Sequence, residues 1–140
     1  MTTCFKASDW VGRKAKRKVC ITSEMLDQFV TFSGDSGAIH VNDQVARELG
    51  FPGGRLVHGM LLGALVSGLI GTELPGDGGY EQQMQLSFRS PCYPGDEVTI
   101  ELTVTDFFES VQTMVLKVNI VNAAGLTLAT GQIQSGLRSR

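Results

Sequence analysis

The chain contains only two histidines, His40 and His58, each in a glycine-flavoured stretch ahead of an apolar run. Gly34-Asp35-Ser36-Gly37-Ala38-Ile39-His40 sets a carboxylate and an imidazole five residues apart, on what reads as a connection between helices, so both can turn into one cleft. Such a pair can hold one water. The carboxylate accepts or polarises one of its protons while the imidazole supplies or takes the other, which is what adding water across an activated double bond requires. A plainer role is open to the same residues: Asp35 satisfying loop amides at a helix stop, with His40 packed as a loop side chain. Spacing does not separate the two.

The second element is Val57-His58-Gly59-Met60-Leu61-Leu62. A helix starting here exposes unpaired backbone N–H groups and a partial positive charge, and Gly59 lets a ligand atom approach them closely. A thioester carbonyl placed there is polarised, and its developing enolate oxygen is stabilised. Gly59 serves equally well for a tight helix start, and His58 reads as a loop anchor. Further along, Gly59, Gly63, Ser67 and Gly71 recur every four residues, with Ala64 and Gly68 alongside. Close packing of the helix on a sheet or a partner helix is the ordinary cause of such a stripe. A slot for a slim acyl chain, bordered by Ser67, is a second consequence.

The elements that must position these residues follow from period and punctuation. Arg13-Lys14-Ala15-Lys16-Arg17-Lys18 leads into a strand at Val19-Cys20-Ile21-Thr22, so it reads as a solvated strand start rather than a nucleic-acid patch, with a role against an acidic cofactor tail left open. Ser23 is placed to cap a helix carrying Met25, Leu26, Phe29 and Val30, ending near Ser33-Gly34. Asn42 or Asp43 caps a short second helix that Gly50 stops. A third helix, from about His58 to Leu74, is greasy on every face and therefore expected to be buried. After Pro75-Gly76-Asp77-Gly78-Gly79 the period becomes two: Met84, Leu86 and Phe88, then Val98, Ile100, Leu102 and Val104, then runs at Val111 to Val121 and Leu126 to Ile133. Pro94-Gly95 and Asn122-Ala123-Ala124-Gly125 suit tight connections. These signals predict an α+β fold with an antiparallel sheet against one long buried helix, whose open face and edges favour a dimer.

Composition narrows the partners. The 140 residues support one domain spanning 1–140, and 42% hydrophobic residues suffice for its core. A net charge of −2 gives no general attraction to nucleic acid or anionic lipid. Cys4, Cys20 and Cys92 lack the spacing of a zinc site or a disulfide framework, so reduced thiols in a cytoplasmic protein are expected. Met1 to Trp10 lacks the apolar run of a signal peptide, and Met60 to Ile70 is about half a membrane span.

Taken together, Gly34-Asp35 with His40, Asn42-Asp43, Ala46, Val57-His58-Gly59-Met60-Leu61-Leu62, Ser67-Gly68-Leu69-Ile70-Gly71, Leu74-Pro75-Gly76, Leu86-Ser87-Phe88 and Pro94-Gly95-Asp96-Glu97-Val98 resemble the MaoC-like hydratases of the hot-dog superfamily. The likeness is greatest to the short (R)-specific enoyl-CoA hydratases. It implies a sheet wrapped around the central helix and a homodimer with active sites near the subunit interface. By the same likeness, Asp35 and His40 activate water for syn addition to a trans-2-enoyl thioester, giving an (R)-3-hydroxyacyl thioester. The Gly59 N–H would form the oxyanion hole, and Ser67 and Ile70 would help bound the acyl pocket. No metal or redox cofactor is implied, coenzyme A or acyl carrier protein being part of the substrate.

One departure stands out: the family pattern reads Gly-Asp-x-Asn-Pro-x-His, and this chain has Gly37 and Ala38 where Asn and Pro occur. Losing a rigid ring and a side-chain amide is expected to loosen the loop. That substitution motivates a second reading, a non-catalytic acyl-thioester binder or structural subunit. A thioesterase fits less well, because Met60 to Thr72 holds no acid and Glu73 comes too late to meet a thioester at Gly59.

Overall fold

The computed structural model describes residues 4–139, so Met1 to Thr3, the start of the segment read as lacking a signal peptide, lie outside the described residues. In chain order the elements are α1 (Ala7–Trp10), β1 (Lys14–Cys20), α2 (Ser23–Ser33), α3 (Ala38–Val41), α4 (Asp43–Glu48), α5 (Gly59–Thr72), β2 (Gly79–Phe88), β3 (Glu97–Phe108), β4 (Thr113–Asn122) and β5 (Thr127–Leu137). All five strands form one antiparallel sheet in the order β1-β3-β4-β5-β2. The last three strands make a meander, whereas β2 lies at the far edge beside β5.

Alternation sets the inner face of the sheet. Val98, Ile100, Leu102 and Val104 of β3 are essentially inaccessible, as are Leu116, Val118 and Ile120 of β4. They share one core with Leu61, Leu62, Val66, Leu69 and Ile70 of α5. The helix is thus held by the sheet along one side. Its other side differs from expectation: Met60 is 59% exposed, and Ala64, Ser67, Gly68 and Gly71 are exposed with it. Uniform hydropathy predicts burial on every face, but one five-stranded sheet covers only the face turned towards it.

All of the basic run but Arg13 lies within β1 rather than ahead of it. Lys14 and Lys16 reach Glu101 at 3.7 Å each, and Lys18 reaches Glu97 at 3.7 Å. Arg17, on the opposite side of the strand, bonds Thr72 and Glu73 at 2.8 Å. The cations therefore mark a solvated edge strand, where lysines also discourage strand addition.

Two caps decide where the site loop begins. Thr22, not Ser23, caps α2, its hydroxyl accepting the Met25 N–H at 3.1 Å. Gly34 ends the same helix at φ 75°, a left-handed conformation that costs glycine nothing, and its N–H returns to the Val30 carbonyl. Asn42 caps α4 by accepting the Val45 N–H at 3.0 Å. The single turn α3 and the short α1 carry too few residues to show a period. Among the described residues, no helix is long and apolar enough to cross a membrane.

Candidate active site

Leaving α2, the chain is held by short bonds of its own. The Asp35 N–H donates to the Ser33 hydroxyl at 3.1 Å, and the Ser36 N–H to the Gly34 carbonyl at 3.0 Å. The Gly37 N–H donates to Asp35 Oδ1 at 3.2 Å. Gly37 then caps α3, and that single turn swings His40 back towards the acid, bringing Nε2 to 3.8 Å from Oδ2 of Asp35. This separation is too long for a direct hydrogen bond and leaves room for one solvent atom shared by both groups.

The substitution at Gly37 has a local consequence. A Cβ there would lie 3.2 Å from Asp35 Oδ1 and 3.6 Å from His40 Cδ2. Bare backbone lets the amide itself hold the carboxylate, so the loop that was expected to be looser keeps its acid through a main-chain bond.

His40 is oriented from behind. Its Nδ1 lies 2.7 Å from the Leu56 carbonyl, which can only accept, so Nδ1 carries a hydrogen and Nε2 is the nitrogen turned towards Asp35. Arg55 secures the same turn by donating Nε–H to the His40 carbonyl at 2.8 Å while pairing with Asp27 of α2. Beneath lies His58, only 2% exposed. Its ring stacks on His40 with centroids 3.8 Å apart and planes 18° from parallel. Its Nε2 lies 3.1 Å from the Asp35 carbonyl oxygen.

These groups border a cavity of about 440 Å³, with Phe29, Asp35, His40, Gly59, Phe88 and Cys92 in its wall. The Gly59 N–H opens α5 here and makes no backbone hydrogen bond among the described residues, so it is free for a ligand oxygen. A Cβ at this position would come within 2.6 Å of Phe88 Cζ, so a side chain here would have to push that ring aside. Burial, reinforced by the nearby Asp96 charge, pushes the Cys92 thiol up to about 12, so it stays protonated in the cavity wall.

The structure thus gathers Asp35, His40 and Gly59 around one space. It does not bring Ser67 or Ile70 there: Ser67 is exposed on the outer side of α5, and Ile70, 2% exposed, sits in the core. Arg55 and the stacking of His58 went unread in the sequence, and Phe88 was read there only as a strand residue, since their places at the site depend on contacts between distant segments. Asp35, His40 and His58 also offer three ligand atoms within 4.8 Å of one another. The parallel imidazoles point their lone pairs along separate planes, and each ring has a nitrogen engaged by a carbonyl, so this arrangement suits a shared water better than a metal ion.

A sheet curled on a central helix, with an acid and an imidazole at the helix mouth, defines a MaoC-like hot-dog domain. The profile of the MaoC like domain matches residues 8–124, and the chain belongs to that family. It is 35% identical over 122 residues to the (R)-specific enoyl-CoA hydratase of Aeromonas caviae, covering 87% of this chain and 90% of that protein. It is also 34% identical over 96 residues to the 3-hydroxybutyryl-CoA dehydratase of Methylorubrum extorquens, covering 69% of this chain and 60% of the relative. Among solved structures, the (R)-hydratase from A. caviae involved in PHA biosynthesis superposes with a TM-score of 0.86 at 35% identity, over 91% of this chain and 96% of the other. R-hydratase PhaJ1 from Pseudomonas aeruginosa gives 0.85 at 31% identity, over 93% and 83%.

Proposed function

We propose that this protein is an (R)-specific enoyl-thioester hydratase, adding water to a trans-2-enoyl-CoA to give an (R)-3-hydroxyacyl-CoA and running in reverse as a dehydratase. One observation carries the reading: Oδ2 of Asp35 and Nε2 of His40 stand 3.8 Å apart in the same cavity as the free Gly59 N–H. The named relatives are hydro-lyases acting on CoA thioesters, which favours coenzyme A over acyl carrier protein as the thiol carrier.

The geometry orders the steps. The thioester carbonyl oxygen accepts the Gly59 N–H at the positive end of α5, which draws electrons from the conjugated double bond. An Asp35 carboxylate oxygen accepts one O–H of the water and orients it. His40 Nε2 takes the other proton as the water oxygen bonds to C3, and the electron pair moves onto the thioester oxygen. The imidazolium then returns its proton to C2 as the carbonyl re-forms, so the sum is addition of one water with no other reactant. Because the dyad faces the substrate from one side, both new bonds form on the same face. The chemistry draws on no metal or redox group.

Two further parts of the reading concern the whole protein. The exposed stripe of α5 carries Met60, Ala64, Ser67, Gly68 and Gly71 and no charged residue, and a second copy of this chain is the proposed cover. The cytoplasm is the proposed location, where Cys4, Cys20 and Cys92, all free thiols, stay reduced.

The test is loss of conjugated enoyl absorbance with crotonyl-CoA, followed by chiral analysis of the product. Asp35→Asn and His40→Ala should each lower kcat by on the order of 100-fold or more. Unchanged turnover in both variants sinks the mechanism, and binding without turnover in the wild type favours an acyl-thioester binder instead.

A further inference from the structure

His58 touches both halves of the dyad by different means. Its Nε2 lies 3.1 Å from the backbone carbonyl of Asp35, an atom that can only accept, so the ring carries its proton on Nε2. Its face lies 3.8 Å under the ring of His40, and Phe29 packs against it with centroids 4.7 Å apart. His58 sits at the N-cap of α5 yet makes no side-chain cap bond. It is 2% exposed, and its Nδ1 has no hydrogen-bond partner among the described residues. A residue needed only to start the helix would spend its polar atoms on that helix, and a residue needed only as packing would be apolar. Here the single hydrogen bond goes to the loop that carries the acid, 23 residues away.

We propose that His58 is a positioning residue that sets the gap between Asp35 and His40 and supports the charge on His40 during turnover, an inference that rests on the hydratase reading above. The carbonyl bond pins the start of the acid's loop, and the stack pins the plane of the base, so the two reacting atoms are spaced by one rigid ring. When His40 Nε2 takes a proton from water, the resulting cation lies over the face of His58 and is favoured there by the electron density of that ring. Both actions work through the loop and the ring that carry the reacting atoms.

Two variants divide these actions. His58→Gln keeps a donor for the Asp35 carbonyl and loses the ring, while His58→Phe keeps a ring and loses the donor. In the full chain, both should lower kcat on crotonyl-CoA by on the order of 10- to 100-fold with KM within about threefold, as a displacement near an ångström would. The wild type supplies a readout that needs neither variant: long-range nitrogen–proton correlation spectra should show His58 protonated on Nε2 and His40 on Nδ1. In His58→Gln the His40 resonances should shift through loss of the stacked ring. Finding His58 protonated on Nδ1 in the wild type overturns the proposal, even if both variants fail to fold. So does an unchanged kcat in both variants, or a loss confined to KM. An inactive wild type that keeps both tautomers points instead to failure of the hydratase reading.

Discussion

At the scale of single residues, the cavity contains an imidazole and a thiol held in different ways. His40 turns Nε2 towards the cavity because the Leu56 carbonyl holds its other nitrogen, whereas Cys92 is held protonated by burial, with its thiol at about 12. Iodoacetamide at pH 8.5 should therefore alkylate exposed Cys4 and Cys20 and spare Cys92, as read by peptide mass spectrometry. The same shift has a sign in stability. The folded state keeps the Cys92 proton well above 9.0, the ordinary value for a thiol, so an unfolded chain releases it first and stability falls as pH rises from about 9 towards 12. A denaturation series over that window should show the decline, and Cys92→Ser should flatten it.

At the scale of elements, the turn α3 explains why the chain tolerates glycine and alanine in the site loop. Gly37 holds the carboxylate through its own N–H, and its backbone at φ −50° and ψ 137° suits a residue that precedes proline. Ala38 is the first helical residue, where a proline ring is accommodated, and its N–H donates to no backbone carbonyl among the described residues. Ala38→Pro should therefore raise stability by about 0.4–1 kcal/mol, chiefly by stiffening the unfolded chain. Urea denaturation with turnover measured alongside checks it, and kcat should stay within about twofold, since the dyad is already held by bonds that the ring leaves intact.

At the scale of the whole molecule, the sheet leaves one side of α5 uncovered. Met60, Ala64, Ser67, Gly68 and Gly71 form that side, and beyond Met60 its small residues would let another element approach closely. The proposed second copy makes a measurable difference: sedimentation should give twice the 15.1 kDa chain mass. Ala64→Glu would place an unpaired carboxylate in the covered face, and should return the protein to its single-chain mass. A wild type that sediments as one chain would remove the dimer.

Local chemistry made several features legible from sequence alone. An unbroken apolar run closed by Pro75-Gly76 marks α5, a period of two marks the strands, Gly34 and Gly50 stop helices, and Asp35, His40 and Gly59 stand out as candidates by residue type, their roles coming from the family resemblance rather than from spacing. These signals arise from neighbours in the chain, so they need no knowledge of what packs where. The pairing of β2 with β5, the exposed side of α5, the removal of Ser67 and Ile70 from the cavity, and the stacking of His58 beneath His40 all join segments far apart in sequence. Only the closed fold brings such segments within a few ångströms of each other, and it alone decides which of two chemically plausible side chains faces the cavity and which faces the core.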